Sequence, residues 1–190
     1  GKEDLRGKRS LVIGPGPVGL RSAVLLAREG SEVCLASIPP DLLADRFNSE
    51  LAERSLMSAR KAGSSLGDPE AACSGNLEVK AVTSNDEMQS LLAEAEIVVA
   101  AGPAGLRLLS ESAWISKPGL KYLIDFNLTE PSGIEGIRPG DDFAEYAGKY
   151  ALGALAVGNQ KMRVHKACVQ KLFERNDLVF DYEQVYRVAR

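Results

Sequence analysis

Short apolar runs alternate along this chain with stretches in which apolar residues recur every three or four positions. The first pattern predicts buried strands and the second predicts amphipathic helices. A strand is expected at residues 10–13, a helix at 18–28 stopped by Gly30, and a second strand at 32–36. Pro39 and Pro40 then interrupt the chain, and a long helix runs from 40 or 41 to about 61, with Leu43, Phe47 and Leu51 on one face. Residues 63–76 are small and polar and read as a surface loop. Leu77, Val79 and Ala81 alternate like a strand, and Asn85 is placed to cap a helix to about 95 with Met88, Leu91 and Leu92 inward. Residues 97–101 are wholly apolar and end at Gly102-Pro103-Ala104-Gly105. A short helix to about 115 and a strand at 122–126 follow. Residues 127–140 read as loop, 150–157 as strand or buried extended chain, and 161–174 and 182–188 as helices.

Strands separated by helices imply a parallel sheet covered on both faces, since parallel neighbours need a crossover. With right-handed crossovers the expected class is α/β: a Rossmann-type, doubly wound, mainly parallel sheet with helices on both faces, forming a single domain over 1–190. The first strand–helix junction reads LVIGPGPVGL, a G-x-G-x-x-G turn at Gly14, Gly16 and Gly19. Such a turn after a strand and before a helix is the dinucleotide-binding arrangement. Its glycines permit a tight turn, close approach of backbone N–H groups to a pyrophosphate, and close helix–strand packing.

Composition narrows the choices. In 190 residues, 45% hydrophobic and 26% charged, there is enough apolar material for a globular core. A net charge of −3 offers no basic field for nucleic acid or an acidic membrane surface. Cys34, Cys73 and Cys168 form no CxxC pair, and a single histidine is too few for a typical zinc site, so no metal is expected. Unpaired, widely spaced cysteines fit a reducing, cytoplasmic setting. No apolar run approaches the roughly 20 residues of a membrane span.

Ligands of open parallel sheets lie beyond the carboxyl ends of the strands. The glycine turn, Gly14 to Gly19 with Pro15, Pro17 and Val18, is the candidate pyrophosphate site. After the second strand, where an NAD site usually carries a carboxylate, stand Ser37 and Ile38. The missing carboxylate favours NADP, with NAD as the alternative, and Ser37 is placed to hydrogen-bond a 2′-phosphate. Arg46 reads as a solvated helix charge. Ala101, Gly102 and Pro103 form a small, kinked turn suited to the nicotinamide end. Asp125 and Asn127, after the fifth strand, are polar residues at the same edge, suited to a ligand or to capping a turn. No nucleophile constellation is present and no catalytic residue is assigned. His165 reads as a surface or structural residue at the margin of a buried stripe of Val164, Cys168 and Leu172. Trp114 reads as core, and Arg163, Lys166 and Lys171 as a solvated helix face.

The segments GPGPVGLRSAVLLAREGSEV, AGPAGLRLL with the later SAW, DFN, GIEGI, EYAGKYALGALAVG, KMRVHKACVQKLFE and VFDYEQVYRVA occur in this order between about Leu5 and Ala189. Together they resemble the NAD(P)-dependent methylenetetrahydromethanopterin dehydrogenases. The resemblance implies an NADP-binding domain with Gly14, Gly16, Pro17, Val18 and Gly19 at the phosphates and Ala101-Gly102 near the nicotinamide. It implies hydride transfer from a methylene group on a pterin one-carbon carrier, within a cytoplasmic homo-oligomer. Two departures stand out. Ser37-Ile38-Pro39 occupies the place of a basic segment that grips the 2′-phosphate, and the N-terminal substrate domain of that family has no counterpart before the first strand. The sequence therefore suggests the cofactor domain of a methylenetetrahydromethanopterin (or methylenetetrahydrofolate) dehydrogenase. Other readings are a dehydrogenase for another small substrate and a non-catalytic NAD(P)-sensing module.

Overall fold

The computed structural model describes residues 4–37, 75–175 and 177–189. The helix expected over 41–61, Arg46, loop residues 63–74, Cys73 and Ile38 lie outside the described residues.

The first strand, β1 (Arg9–Ile13), is buried on both sides from Ser10 onward, as a central parallel strand must be. Its neighbours are β2 (Glu32–Ser37) and β4 (Ile97–Ala100), both parallel to it. β3 (Asn76–Ala81) lies outside β2, and β5 (Tyr122–Asp125) lies outside β4. A hairpin of β6 (Asp142–Tyr146) and β7 (Lys149–Leu152) completes the far edge, with β7 parallel to β5 and β6 antiparallel to β7. Among the described residues the sheet has seven strands in the order β3-β2-β1-β4-β5-β7-β6. The chain builds outward from β1 in one direction and then in the other. Its topological switch point therefore falls between β1 and β4.

Each face of the sheet has its own core. On one side Ala23 and Ala27 of α1 (Pro17–Arg28) pack with Val12, Val33, Leu35, Ile97 and Val99. On the other, Met88 and Leu92 of α2 (Asn85–Glu94) and Trp114 of α3 (Glu111–Trp114) pack with Leu11, Ile13, Val98, Ala100 and Leu123. The doubly wound arrangement with helices on both faces is thus the observed one. Leu91, expected inward, is half-buried.

The structure revises several boundaries. Ser84, not Asn85, caps α2. Its hydroxyl accepts the Glu87 N–H at 3.2 Å, and the Glu87 carboxylate reaches back to the Thr83 N–H at 2.7 Å. The helix after Gly105 shrinks to the single turn of α3, because Leu108 and Leu109 are instead bonded to the loop after β5, through Gly133 O and the Leu109–Ile134 bridge. The segment 150–157 is not one extended run: β7 ends at Leu152 and α4 (Ala154–Leu172) begins after Gly153, seven residues earlier than the expected helix start at 161. The β6–β7 hairpin was not foreseen. Cys168 is buried on α4, but Val164 is half-buried and Leu172 exposed, so the expected stripe is only partly a core face. The last helix, α5 (Tyr182–Ala189), reaches α1 through a Tyr186–Glu29 hydrogen bond and the Arg28 guanidinium over the Tyr186 ring. Among the described residues no helix is long and apolar enough to cross a membrane.

Candidate functional site

The carboxyl ends of β2, β1, β4 and β5 bring most of the expected site residues to one edge. Backbone bonds extend the ladder past the strand ends: Gly14 N–H donates to Ala36 O at 2.9 Å, and Ala101 N–H donates to Ile13 O at 2.8 Å. The glycine turn and the Ala101-Gly102 turn are therefore neighbours at the switch point.

The three motif glycines are present for different reasons. Gly14 has φ +111°, and a Cβ there would lie 2.7 Å from the Ala101 carbonyl and the Gly102 nitrogen. Gly19 sits inside α1 where a Cβ would fall 1.9 Å from Gly14 O, so it sets how closely helix and strand pack. Gly16 is unlike both. Its φ of −64° suits any residue, and among the described residues a Cβ would meet nothing within 4 Å. It caps α1 without a side chain, Pro17 opens the helix, and no acidic residue lies in the first turn. The first turn of α1 therefore keeps its positive end uncapped by any side chain among the described residues. Pro15 and Gly16 are half-buried, and Pro17 and Val18 are exposed beside them.

Ser37 ends β2 one strand over. It is 3% exposed, and its carbonyl accepts the Val82 N–H at 2.8 Å. Ala101 and Gly102 are half-buried and Pro103 is exposed, while a Cβ at Gly102 would meet the Leu108 side chain at 2.8 Å.

Asp125 and Asn127 are turned into the protein. Asp125 Oδ1 accepts the Asn127 N–H at 2.9 Å and Oδ2 accepts the Ile134 N–H at 2.8 Å. Burial pushes the Asp125 carboxyl above the usual aspartate range, opposed by backbone N–H bonds from Ile134, Asn127 and Gly133. Asn127 Oδ1 accepts from Thr129 N–H at 3.0 Å and Gly105 N–H at 3.3 Å, and its Nδ2 donates to Pro131 O at 3.0 Å. Both side chains therefore organise the loops after β4 and β5. Sequence reasoning found the two residues but missed Gly133, where a Cβ would lie 2.7 Å from Asp125 Oδ1. The Asp-x-Asn spacing at a strand end, a local side-chain-to-backbone turn signal, was the available clue.

Trp114 is fully buried and donates its indole N–H to Glu135 O at 3.0 Å, and His165 is exposed. Among the described residues no cluster of His, Cys, Asp and Glu is arranged to hold a metal.

No family model matches the chain. Over 96 residues, 50% of this chain and 33% of the relative, it is 43% identical to the bifunctional protein MdtA of Methylorubrum extorquens. Over 190 residues, 98% of this chain and 58% of the relative, it is 29% identical to the NAD(P)-dependent methylenetetrahydromethanopterin dehydrogenase of the same organism. The chain thus spans between one third and about three fifths of the length of these curated relatives. Among solved structures, a transhydrogenase from Sinorhizobium meliloti superposes with a TM-score of 0.54 at 16% identity, covering 84% of this chain and 43% of that one; this likeness is one of fold. The resemblance drawn from the sequence blocks therefore holds: along nearly its whole length this chain is similar to an NAD(P)-dependent methylenetetrahydromethanopterin dehydrogenase.

Proposed function

We propose that this chain is the NAD(P)-holding part of a dehydrogenase that removes hydride from a methylene group on a reduced pterin one-carbon carrier. The observation that carries the cofactor assignment is the empty surround of Gly16. Packing accounts for Gly14 and Gly19, but among the described residues nothing excludes a side chain at Gly16. A diphosphate resting on the first amides of α1 does exclude one. Gly14, Pro15, Gly16, Pro17, Val18 and Gly19 would hold the pyrophosphate, with Ser37 toward the adenosine ribose and Ala101, Gly102 and Pro103 toward the nicotinamide. The absence of an acidic residue at Ala36-Ser37 favours NADP, with NAD as the alternative.

The nicotinamide ring supplies the hydride acceptor. The protein's part is to orient it and to exclude water. A methylene carbon bonded to nitrogen releases hydride to give a cation stabilised by the nitrogen lone pair, so the step needs no protein base. That agrees with a sheet edge where the acidic side chain, Asp125, is turned inward. The pterin substrate and its oxidation are what the name of the relative similar to this chain gives, and they support this reading.

Calorimetric titration of the chain with NADP⁺ and NAD⁺ tests the assignment. Binding by the natural chain is expected, together with loss of binding in Gly16→Val at an unchanged far-UV spectrum. Gly19→Ala provides the contrast, losing about 3 kcal/mol or more of stability from the forced overlap with Gly14 O. No binding by the natural chain, or undiminished binding by Gly16→Val, overturns the reading.

A further inference from the structure

We propose that Asn127, braced by Asp125, is a positioning residue for the nicotinamide end of the cofactor. It acts by holding the Gly102–Gly105 turn at its working height without touching the cofactor. The inference rests on the NAD(P) reading above and deepens it.

The turn has few restraints of its own. Gly102 and Gly105 carry no side chain, Pro103 has no N–H to donate, and Pro103 and Ala104 are exposed. Its upstream end is fixed by the strand ladder, through Ala101 N–H to Ile13 O at 2.8 Å. Its downstream end depends on the loop after β5. Gly105 N–H donates to Asn127 Oδ1 at 3.3 Å, and the Leu108 and Leu109 N–H groups donate to Gly133 O at 2.8 and 3.0 Å. Gly133 and Ile134 in turn are held by Asp125, whose own backbone is registered against Ala100 at the end of β4. The bracing is thus a closed circuit from β4 to β5, across Asp125 to Gly133 and Ile134, and back through Asn127 to Gly105.

Loss of the Asn127 acceptor frees residues 102–105 while leaving Ala101 and the glycine turn on their ladder bonds. The adenosine half of the cofactor, bound on the β1–β2 side, should not register the change. The nicotinamide half should. This split separates positioning from general destabilisation, which would weaken both halves alike.

The test titrates the natural chain, Asn127→Leu and Asn127→Asp with NADP⁺ against adenosine 2′,5′-bisphosphate, and with NAD⁺ against ADP. Asn127→Leu should weaken the full cofactor about tenfold, the scale of one lost hydrogen bond, and leave the half-molecule's affinity unchanged. Asn127→Asp keeps an acceptor for Gly105 N–H but loses the donor to Pro131 O, so it should recover part of the loss. If Asn127→Leu does not fold, Asn127→Ser, whose hydroxyl is too short to reach Gly105, serves for the same two readings. Equal weakening of half and full ligands, or no weakening of either, overturns this inference alone. A natural chain that takes none of the four compounds overturns the NAD(P) reading and this inference with it.

Discussion

At the scale of single residues, burial sets the chemistry of the cysteine on β2. Cys34, on β2, faces a cleft of about 160 Å³ lined in part by Arg9, Glu78, Lys80 and Leu91. Burial pushes its thiol from 9.0 up to about 11, and the nearby Lys80 ammonium only partly offsets this. The fold therefore favours the neutral thiol. The sign follows directly: the stability this group contributes is complete below pH 9.0 and is lost as the pH rises through about 11. Because the thiolate is the nucleophile, alkylation of Cys34 should reach half its limiting rate only near pH 11. Peptide-resolved mass spectrometry after iodoacetamide pulses checks this. A half-maximal rate near the ordinary thiol value would show that Cys34 is solvated.

At the scale of elements, the amino edge of the sheet is tied by one carboxylate. Glu96, just before β4, accepts Lys8 Nζ at 3.1 Å, and Lys121 Nζ stands 3.8 Å away. The Lys8 hydrogen bond holds the Glu96 carboxyl below the usual 4.5. Its contribution is thus present above pH 4.5 and lost as the pH falls through the lower folded value. Glu96→Gln should lower stability at pH 7 by about 0.5–1 kcal/mol, a modest figure because the pair is partly solvated. Urea melts should show that deficit closing in acid. The elements differ in how clearly the chain announces them. β1 and β4 are short, dense apolar runs bounded by turn residues, which reads as buried strand, and α1 follows a turn with its own chemistry. The β6–β7 hairpin escapes because its turn, Ala147-Gly148, has φ of +51° and +75° without the usual Asn-Gly or Asp-Gly, and a bulge after Asp142 breaks the alternation. The start of α4 escapes because Gly153, Gly158 and small apolar residues between them imitate buried extended chain. For the site, glycine spacing was legible because backbone crowding restricts Gly14 and Gly19 to one residue type, and Gly16 falls between them in a known pattern. The inward turn of Asp125 was not, since it depends on amides eight and nine residues away that only the folded loop brings back.

At the scale of the whole molecule, protection from solvent is unevenly distributed. β1 and β4 have neighbours on both sides and cores above and below, whereas α4 buries only Ala156 and Cys168 and leaves Leu155, Met162 and Leu172 about half exposed. Amides of β1 and β4 should exchange only through global unfolding, and those of α4 through local opening at much lower free energy. Hydrogen exchange followed by mass spectrometry gives the ordering, and equal protection of α4 and β1 would contradict it. The division of labour among the motif glycines also bears on how such chains age. Under the NAD(P) reading proposed above, a descendant that gives up its cofactor must still keep the glycines at positions 14 and 19, where a side chain would overlap backbone, while position 16 is released to drift. Retired copies of this domain should therefore be recognisable by a side chain at that one place, long before their shape betrays the change.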